Sequence, residues 1–305
     1  MISRRTFLGT AMLTPALSQT SSSPPFTRFQ LACMTLPYSA FPLERALSGI
    51  KNAGYQYVAW GVNHRDAAGK STPAMAIDAP PRQAAQLASR CRDMGLEPVM
   101  MFSTVNIEAP DAVKLHVKRI EQAAAARIPF LLTFGKTTPG EYERFIRNLK
   151  EMSRPARDAG VTILIKQHGG NTATGEDCAR IVSEVAEDSL RICYDAGNVL
   201  DYENHDPIPD IQECWRDIRA FAIKDHRNTP ADQDCGPGFG EIDHYKLLMP
   251  VMRTGLTMPL AFENIFEPLV PRPADPAGVD ALAKRAREYI ESVIRGLTTH
   301  LSAKT

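Results

Sequence analysis

Four short apolar runs in the second half of the chain each stop at polar or ionisable residues. They read Ile163-Leu-Ile-Lys166-Gln-His168, Arg191-Ile-Cys-Tyr-Asp195, Phe221-Ala222-Ile-Lys224-Asp225-His226 and Leu260-Ala-Phe-Glu263. Helix-like segments lie between them, and strands alternating with helices imply a parallel sheet. Positions 166, 195, 222 and 263 stand 29, 27 and 41 residues apart, about one βα unit each. In a closed parallel barrel the C-terminal strand ends converge on one face, where active sites are built.

Counting from the N-terminus, eight strand candidates emerge: 29–34, 57–60, 97–102, 130–134, 162–166, 190–195, 220–224 and 259–263. Helical periodicity fills the gaps. Val113, Val117, Ile120 and Ala124 form one stripe; Tyr142, Phe145, Ile146, Leu149 and Met152 another; Val279, Leu282, Ala286, Ile290, Val293 and Leu297 the last. Such stripes pack outer helices onto a barrel. Ala53-Gly54 and Ala159-Gly160 suit helix-to-strand turns, where glycine relieves the left-handed penalty. Two segments lack periodicity, 61–81 and 228–240, and both follow strand ends. Loops of that length over an active face are often lids. The expected fold is α/β, a single (β/α)₈ TIM barrel.

The N-terminal run Ser3-Arg4-Arg5-Thr6-Phe7-Leu8 resembles a twin-arginine export signal. A short apolar stretch follows to Leu17, too short to span a bilayer, and Ala16-Leu17-Ser18 offers a small-residue cleavage site. Residues 1–25 are therefore assigned to a signal and linker, 26–305 to the barrel, and the mature protein to the periplasm. No later stretch is long and apolar enough to cross a membrane. Lys+Arg and Asp+Glu are both 35, so the chain has no basic footprint and nucleic acid is not an expected partner. Six scattered cysteines with no C-x-x-C read as buried thiols.

The strand ends resemble the xylose isomerase-like TIM-barrel superfamily of sugar isomerases, epimerases and endonuclease-type enzymes. Further segments resemble it in register: Phe41-Pro-Leu-Glu-Arg-Ala-Leu with Val58-Ala59-Trp60, Tyr194-Asp195-Ala-Gly197-Asn198, and Gly238-Phe-Gly240-Glu241-Ile-Asp243. The resemblance implies Glu, Asp, His and Glu at the four ends, holding a divalent ion such as Mn²⁺, Mg²⁺ or Zn²⁺. Asp195 and Glu263 match that pattern. Lys166 and Ala222 replace the other two ligands, and Ala59 stands where the family often has Glu. The family set of three carboxylates, a histidine and a dication carries a net charge of −1. Asp195, Glu263 and Lys166 reach the same charge with no metal, so Lys can replace the cation. No metal or other cofactor is therefore expected.

The resulting expectation is a carbohydrate-active isomerase or epimerase that abstracts a proton beside a carbonyl of a sugar or keto-sugar. Glu263 would act as the base, and Lys166 would stabilise the enolate oxygen. Asp195, His168, Asn198, His226, Arg227, Trp60 and His64 are the candidate substrate-binding residues. Trp60 would offer a stacking face and His64 a hydrogen bond, while His226 and Arg227 would stand in for the missing histidine. Two alternatives remain at this point. Lys166 could form a Schiff base in a lyase or aldolase, or the chain could be a non-catalytic sugar-binding relic.

Overall fold

The computed structural model describes residues 25–303, apart from 62 and 67. The twin-arginine run lies outside the described residues. Eight parallel strands close into one barrel. They are β1 (Arg28–Met34), β2 (Tyr57–Trp60), β3 (Glu97–Phe102), β4 (Phe130–Thr133), β5 (Thr162–Lys166), β6 (Leu190–Tyr194), β7 (Ile218–Ile223) and β8 (Thr257–Phe262). Each pairs with the next, and β8 returns to β1 with Leu31 opposite Leu260. All eight expected strands are present, with ends shifted by one or two residues.

Around the barrel lie α1 (Leu43–Asn52), α2 (Pro81–Asp93), α3 (Ala112–Ala126), α4 (Tyr142–Asp158), α5 (Gly175–Val185), α6 (Ala196–Glu203), α7 (Pro207–Cys214), α8 (His244–Leu248) and α9 (Pro276–Ser302). None of these helices is long and apolar enough to cross a membrane. Gly54 and Gly160 take positive φ at the predicted helix-to-strand turns. The α4 and α9 stripes face the core as expected. On α3 the buried face is instead Ala112, His116, Ile120 and Ala123, leaving Val113 and Val117 at its edge. Polar burial caused the shift, since Arg119 and Gln122 reach the carbonyls of Met75, Ala76 and Ala79 and hold the segment before α2.

Strand alternation divides the apolar residues into two clusters. Met34, Ala59, Met100, Phe102, Leu132, Leu164, Cys193, Ala220, Ala222 and Ala261 fill the barrel interior. Their neighbours, including Trp60, Ile163, Ile165, Tyr194, Phe221 and Phe262, join the layer between strands and helices. All six cysteines are buried and unpaired. The first aperiodic segment contains an antiparallel hairpin, pairing 63–65 with 71–73, and the second supplies the return arm of another, in which 233–235 pairs with 225–227 just before it. They are thus structured attachments to the barrel mouth rather than irregular loops.

His116 ties this architecture to pH. Its Nδ1–H donates to the Ala112 carbonyl at 2.7 Å, while Nε2 meets the Thr133 and Ser103 hydroxyls at 2.8 and 3.1 Å. Burial pushes the imidazole down to about 4, so it is held neutral. The unfolded chain binds a proton that the folded chain refuses, and stability rises with pH between about 4 and 6.5. The contribution over that window is about 3 kcal/mol. Urea melts at pH 7.5 and 4.5 should show His116→Gln losing less stability on acidification than wild type; an equal loss would remove His116 as a cause.

Candidate active site

The plugged barrel interior forms an apolar floor, and the inward positions just above it are charged. Alternation along β5 takes Leu164 inward and therefore Lys166 as well; on β6 it takes Cys193 and then Asp195; on β8, Ala261 and then Glu263. The three meet at the mouth. The Lys166 Nζ lies 2.7 Å from Asp195 Oδ2 and 2.7 Å from Glu263 Oε2. Lys166 and Asp195 are fully enclosed, while the Glu263 side chain keeps 17% of its surface open. Phe102 lies beneath, its ring centroid 6.0 Å from Nζ.

This geometry fixes the charges. Burial alone would lower the Lys166 ammonium, but Asp195 and Glu263 outweigh it and hold it well above its ordinary value. Burial would likewise raise Asp195; the Lys166 and Lys224 ammonium groups reverse that and lower it. Asp195 is also a structural joint. Its Oδ1 accepts the Asn198 N–H at the start of α6, and its own N–H donates to Gln167 Oε1 at 2.9 Å. The Asn198 amide braces the Gln167 carbonyl at 2.7 Å. Asn198 thus holds the ends of β5 and β6 together.

Lys224 is the residue that strand-end reading passed over. It stands two positions beyond inward-facing Ala222, so alternation alone brings it to the mouth. Its Nζ bonds Asp234 Oδ2 at 2.6 Å, and its stem passes so close to Gly197 that an added Cβ would fall 2.5 Å from it. Asp195 and Glu263 lie near enough to help raise Lys224 against the opposing effect of burial. With Lys224 and Asp234 included, two ammonium groups face three carboxylates, so the net charge stays at −1.

His168 belongs to the same mouth. Its Nδ1–H donates to the Gly135 carbonyl at 3.0 Å, and its ring lies 4.4 Å from Phe134 and 5.6 Å from Tyr202, centroid to centroid. Burial, then Lys166, lowers it, so Nε2 keeps a lone pair that can accept from a hydroxyl. Phe102, Phe134, His168 and Tyr202 form a continuous row of ring contacts beside Lys166. Phe134 stands two positions beyond inward-facing Leu132, so strand parity points it to the mouth, whereas Tyr202 comes from α6, whose placement no strand pattern marks.

Four candidate residues are placed otherwise. Trp60 follows inward Ala59 and therefore points out, into the layer beside Cys91 of α2. His64 is buried, taking the Thr35 hydroxyl on Nε2 at 2.9 Å and the Phe41 carbonyl on Nδ1 at 3.2 Å, with no ring nitrogen left for a sugar. Arg227 turns back onto the Thr229 carbonyl through Nε and Nη2. His226 is enclosed in the 225–235 hairpin and bonds Asp234 rather than the pocket.

A family model described as the xylose isomerase-like TIM barrel matches residues 47–290. The chain belongs to that family. Solved structures with the same fold include an L-ribulose 3-epimerase (17% identity, 90% of this chain and 97% of that one, TM-score 0.70). A D-allulose 3-epimerase from Methylomonas sp., solved with D-allulose, shares 17% identity over 89% of this chain and 99% of its own, with TM-score 0.64. A family protein from Mycobacterium smegmatis in complex with magnesium shares 14% over 90% and 98%, with TM-score 0.67. Against curated proteins the sequence finds no significant match.

The donor set at the barrel axis does not suit the divalent ion that the family resemblance implies. An ammonium already lies between the two carboxylates, and its charge would oppose a dication there. Removing that ammonium should leave two carboxylates close together without the cation that bonds both of them. We expect Lys166→Met to lower unfolding stability by about 3–5 kcal/mol at pH 7.5. The deficit should shrink towards pH 5, because a buried carboxyl stripped of its ammonium takes up a proton more readily. Urea melts at the two pH values provide the check, and a deficit independent of pH would contradict the pairing.

Proposed function

We propose that the chain is a sugar isomerase or epimerase that moves a proton beside the carbonyl of a sugar or keto-sugar without a metal at its barrel axis. The observation carrying this reading is the Lys166 ammonium held 2.7 Å from each of two carboxylates. An ammonium has three N–H donors. Asp195 and Glu263 occupy two, and the third is free to meet a substrate oxygen. Glu263, the more open carboxylate, takes the proton from the carbon beside the carbonyl. The electrons move onto the carbonyl oxygen, and Lys166 stabilises the enolate charge as it forms. The Phe102 floor keeps that charge in a low-dielectric place, where the ammonium acts more strongly. His168 accepts a sugar hydroxyl, and the row of rings packs against C–H faces. Epimerase neighbours of the same fold that act on ketoses support a carbohydrate ligand.

A Schiff base at Lys166 fits less well, because an imine-forming amine must lose its proton and both carboxylates hold that proton in place. Solvent exchange distinguishes the readings. In D₂O, with a panel of ketoses followed by proton NMR, wild type should exchange the hydrogen beside the carbonyl, and Glu263→Gln should slow exchange at least 100-fold. Exchange that survives in Glu263→Gln removes the base assignment. Borohydride trapping of the chain would favour the lyase, and sugar binding with no exchange would favour the relic.

Export through the twin-arginine route is proposed from the Ser3–Leu8 run. Phosphorylated sugars, mainly cytosolic, are then poorer candidates than neutral or oxidised ones. Changing Arg4 and Arg5 to Lys should leave uncleaved protein in the cytosol, and an unchanged periplasmic yield would refute the route.

A further inference from the structure

The hairpin that follows β7 carries a second group of metal-ligating side chains, away from the barrel axis. His226 is its centre and is 1% exposed. Its Nδ1 lies 3.2 Å from Asp234 Oδ1, and its Nε2 lies 3.1 Å from Asn228 Oδ1 and 3.3 Å from Asp232 Oδ1. Asp201, on α6, reaches the same place: one ligand atom from each of Asp201, His226 and Asp232 lies within 4.8 Å of the others. The Asn228 amide is oriented by Asn204, whose Oδ1 takes its Nδ2–H at 3.3 Å, so its oxygen faces the ring.

The arrangement leaves a specific gap in bonding. A neutral imidazole has one N–H, so in either tautomer one of the two ring nitrogens presents a lone pair to these acceptors; in the tautomer that donates Nδ1–H to Asp234 it is Nε2. Around it stand an amide oxygen and carboxylates, all acceptors, and acceptors do not bond one another. Something electropositive belongs there, either a second ring proton or a cation. Charge favours the cation. Asp201, Asp232 and Asp234 bring three negative charges, and Lys224 compensates one. A dication beside a neutral imidazole makes the group neutral, whereas a proton leaves one charge over. The carboxylate behind the imidazole is also the usual partner of a metal-bound histidine, fixing its tautomer and ring plane.

We propose that Asp201, His226 and Asp232, with Asn228 Oδ1, form a divalent-cation site on the hairpin after β7. One imidazole with carboxylate and amide oxygens suits Zn²⁺ or Mn²⁺ better than an all-oxygen ion. Such an ion links the hairpin to α6. Through His226 and Asp234 it also sets the carboxylate that holds Lys224 at the pocket mouth. The site is separate from the Lys166 centre and does not depend on the chemistry proposed there.

The test is calorimetric titration of the full-length chain, stripped with EDTA and dialysed, with ZnCl₂ and with MnCl₂. The expected result is saturable binding of one ion per chain for one of them. Affinity should fall at least 10-fold in Asp232→Asn, a change at an exposed side chain that leaves the packed core untouched, and further in Asp201→Asn/Asp232→Asn. Asp234→Asn should weaken binding by 10–100-fold through loss of the carboxylate behind the imidazole. Melts of the metal-free variants establish that each is folded. The proposal is overturned if wild type shows no saturable binding, or if the double variant binds as wild type does. It is also overturned if Glu263→Gln abolishes binding, because that outcome puts the ion at the barrel axis.

Discussion

Everything at the mouth of this barrel depends on one buried ammonium. Lys166 lies on an apolar plug, where a charge without partners would be too costly to keep. Asp195 and Glu263 supply the partners from two other strands. The dependence runs both ways, since burial alone would raise Asp195 and the Lys166 ammonium is the first of the groups that lower it. Because Asp195 also caps α6 and ties to Gln167, the same pairing that sets the pocket's charge fixes how β5 and β6 end.

The charge network extends outward from that centre. Lys224 crosses Gly197 to reach Asp234, whose second oxygen holds His226. Asp225 organises the backbone of the same segment, accepting N–H groups from His226, Gly238 and Ile242. The Lys-Asp pair at the end of β7 therefore divides its labour: Lys224 faces the pocket, and Asp225 shapes the hairpin. This arrangement gives the family's G-x-G segment a physical purpose here. Gly240 leaves room for Asp225, as an added Cβ would fall 2.3 Å from Oδ1.

Much of the site was legible because strands alternate. Once Leu164, Cys193 and Ala261 are inward, Lys166, Asp195 and Glu263 must follow. The same rule applied to β2 turns Trp60 outward as soon as Ala59 is inward, and applied to β7 it brings in Lys224. Trp60 outward and Lys224 inward both follow from strand parity alone. His64 and His226 are different. Both lie in hairpins beyond the strands, where no period fixes direction, and their environment comes from partners far away in sequence or across a turn.

The sequence by itself determined the barrel, its eight strands and the three charged residues at its axis. Local periodicity and strand parity are encoded within a few residues, and they dictate which side chains share a face. Only the tertiary structure decided that those three charges touch, that Lys224 joins them, and that His226 gathers Asp201, Asp232 and Asp234 in a separate group. Those contacts depend on where α6 and the hairpin after β7 settle over the barrel. That placement comes from packing and long-range hydrogen bonds, which no short stretch of sequence contains.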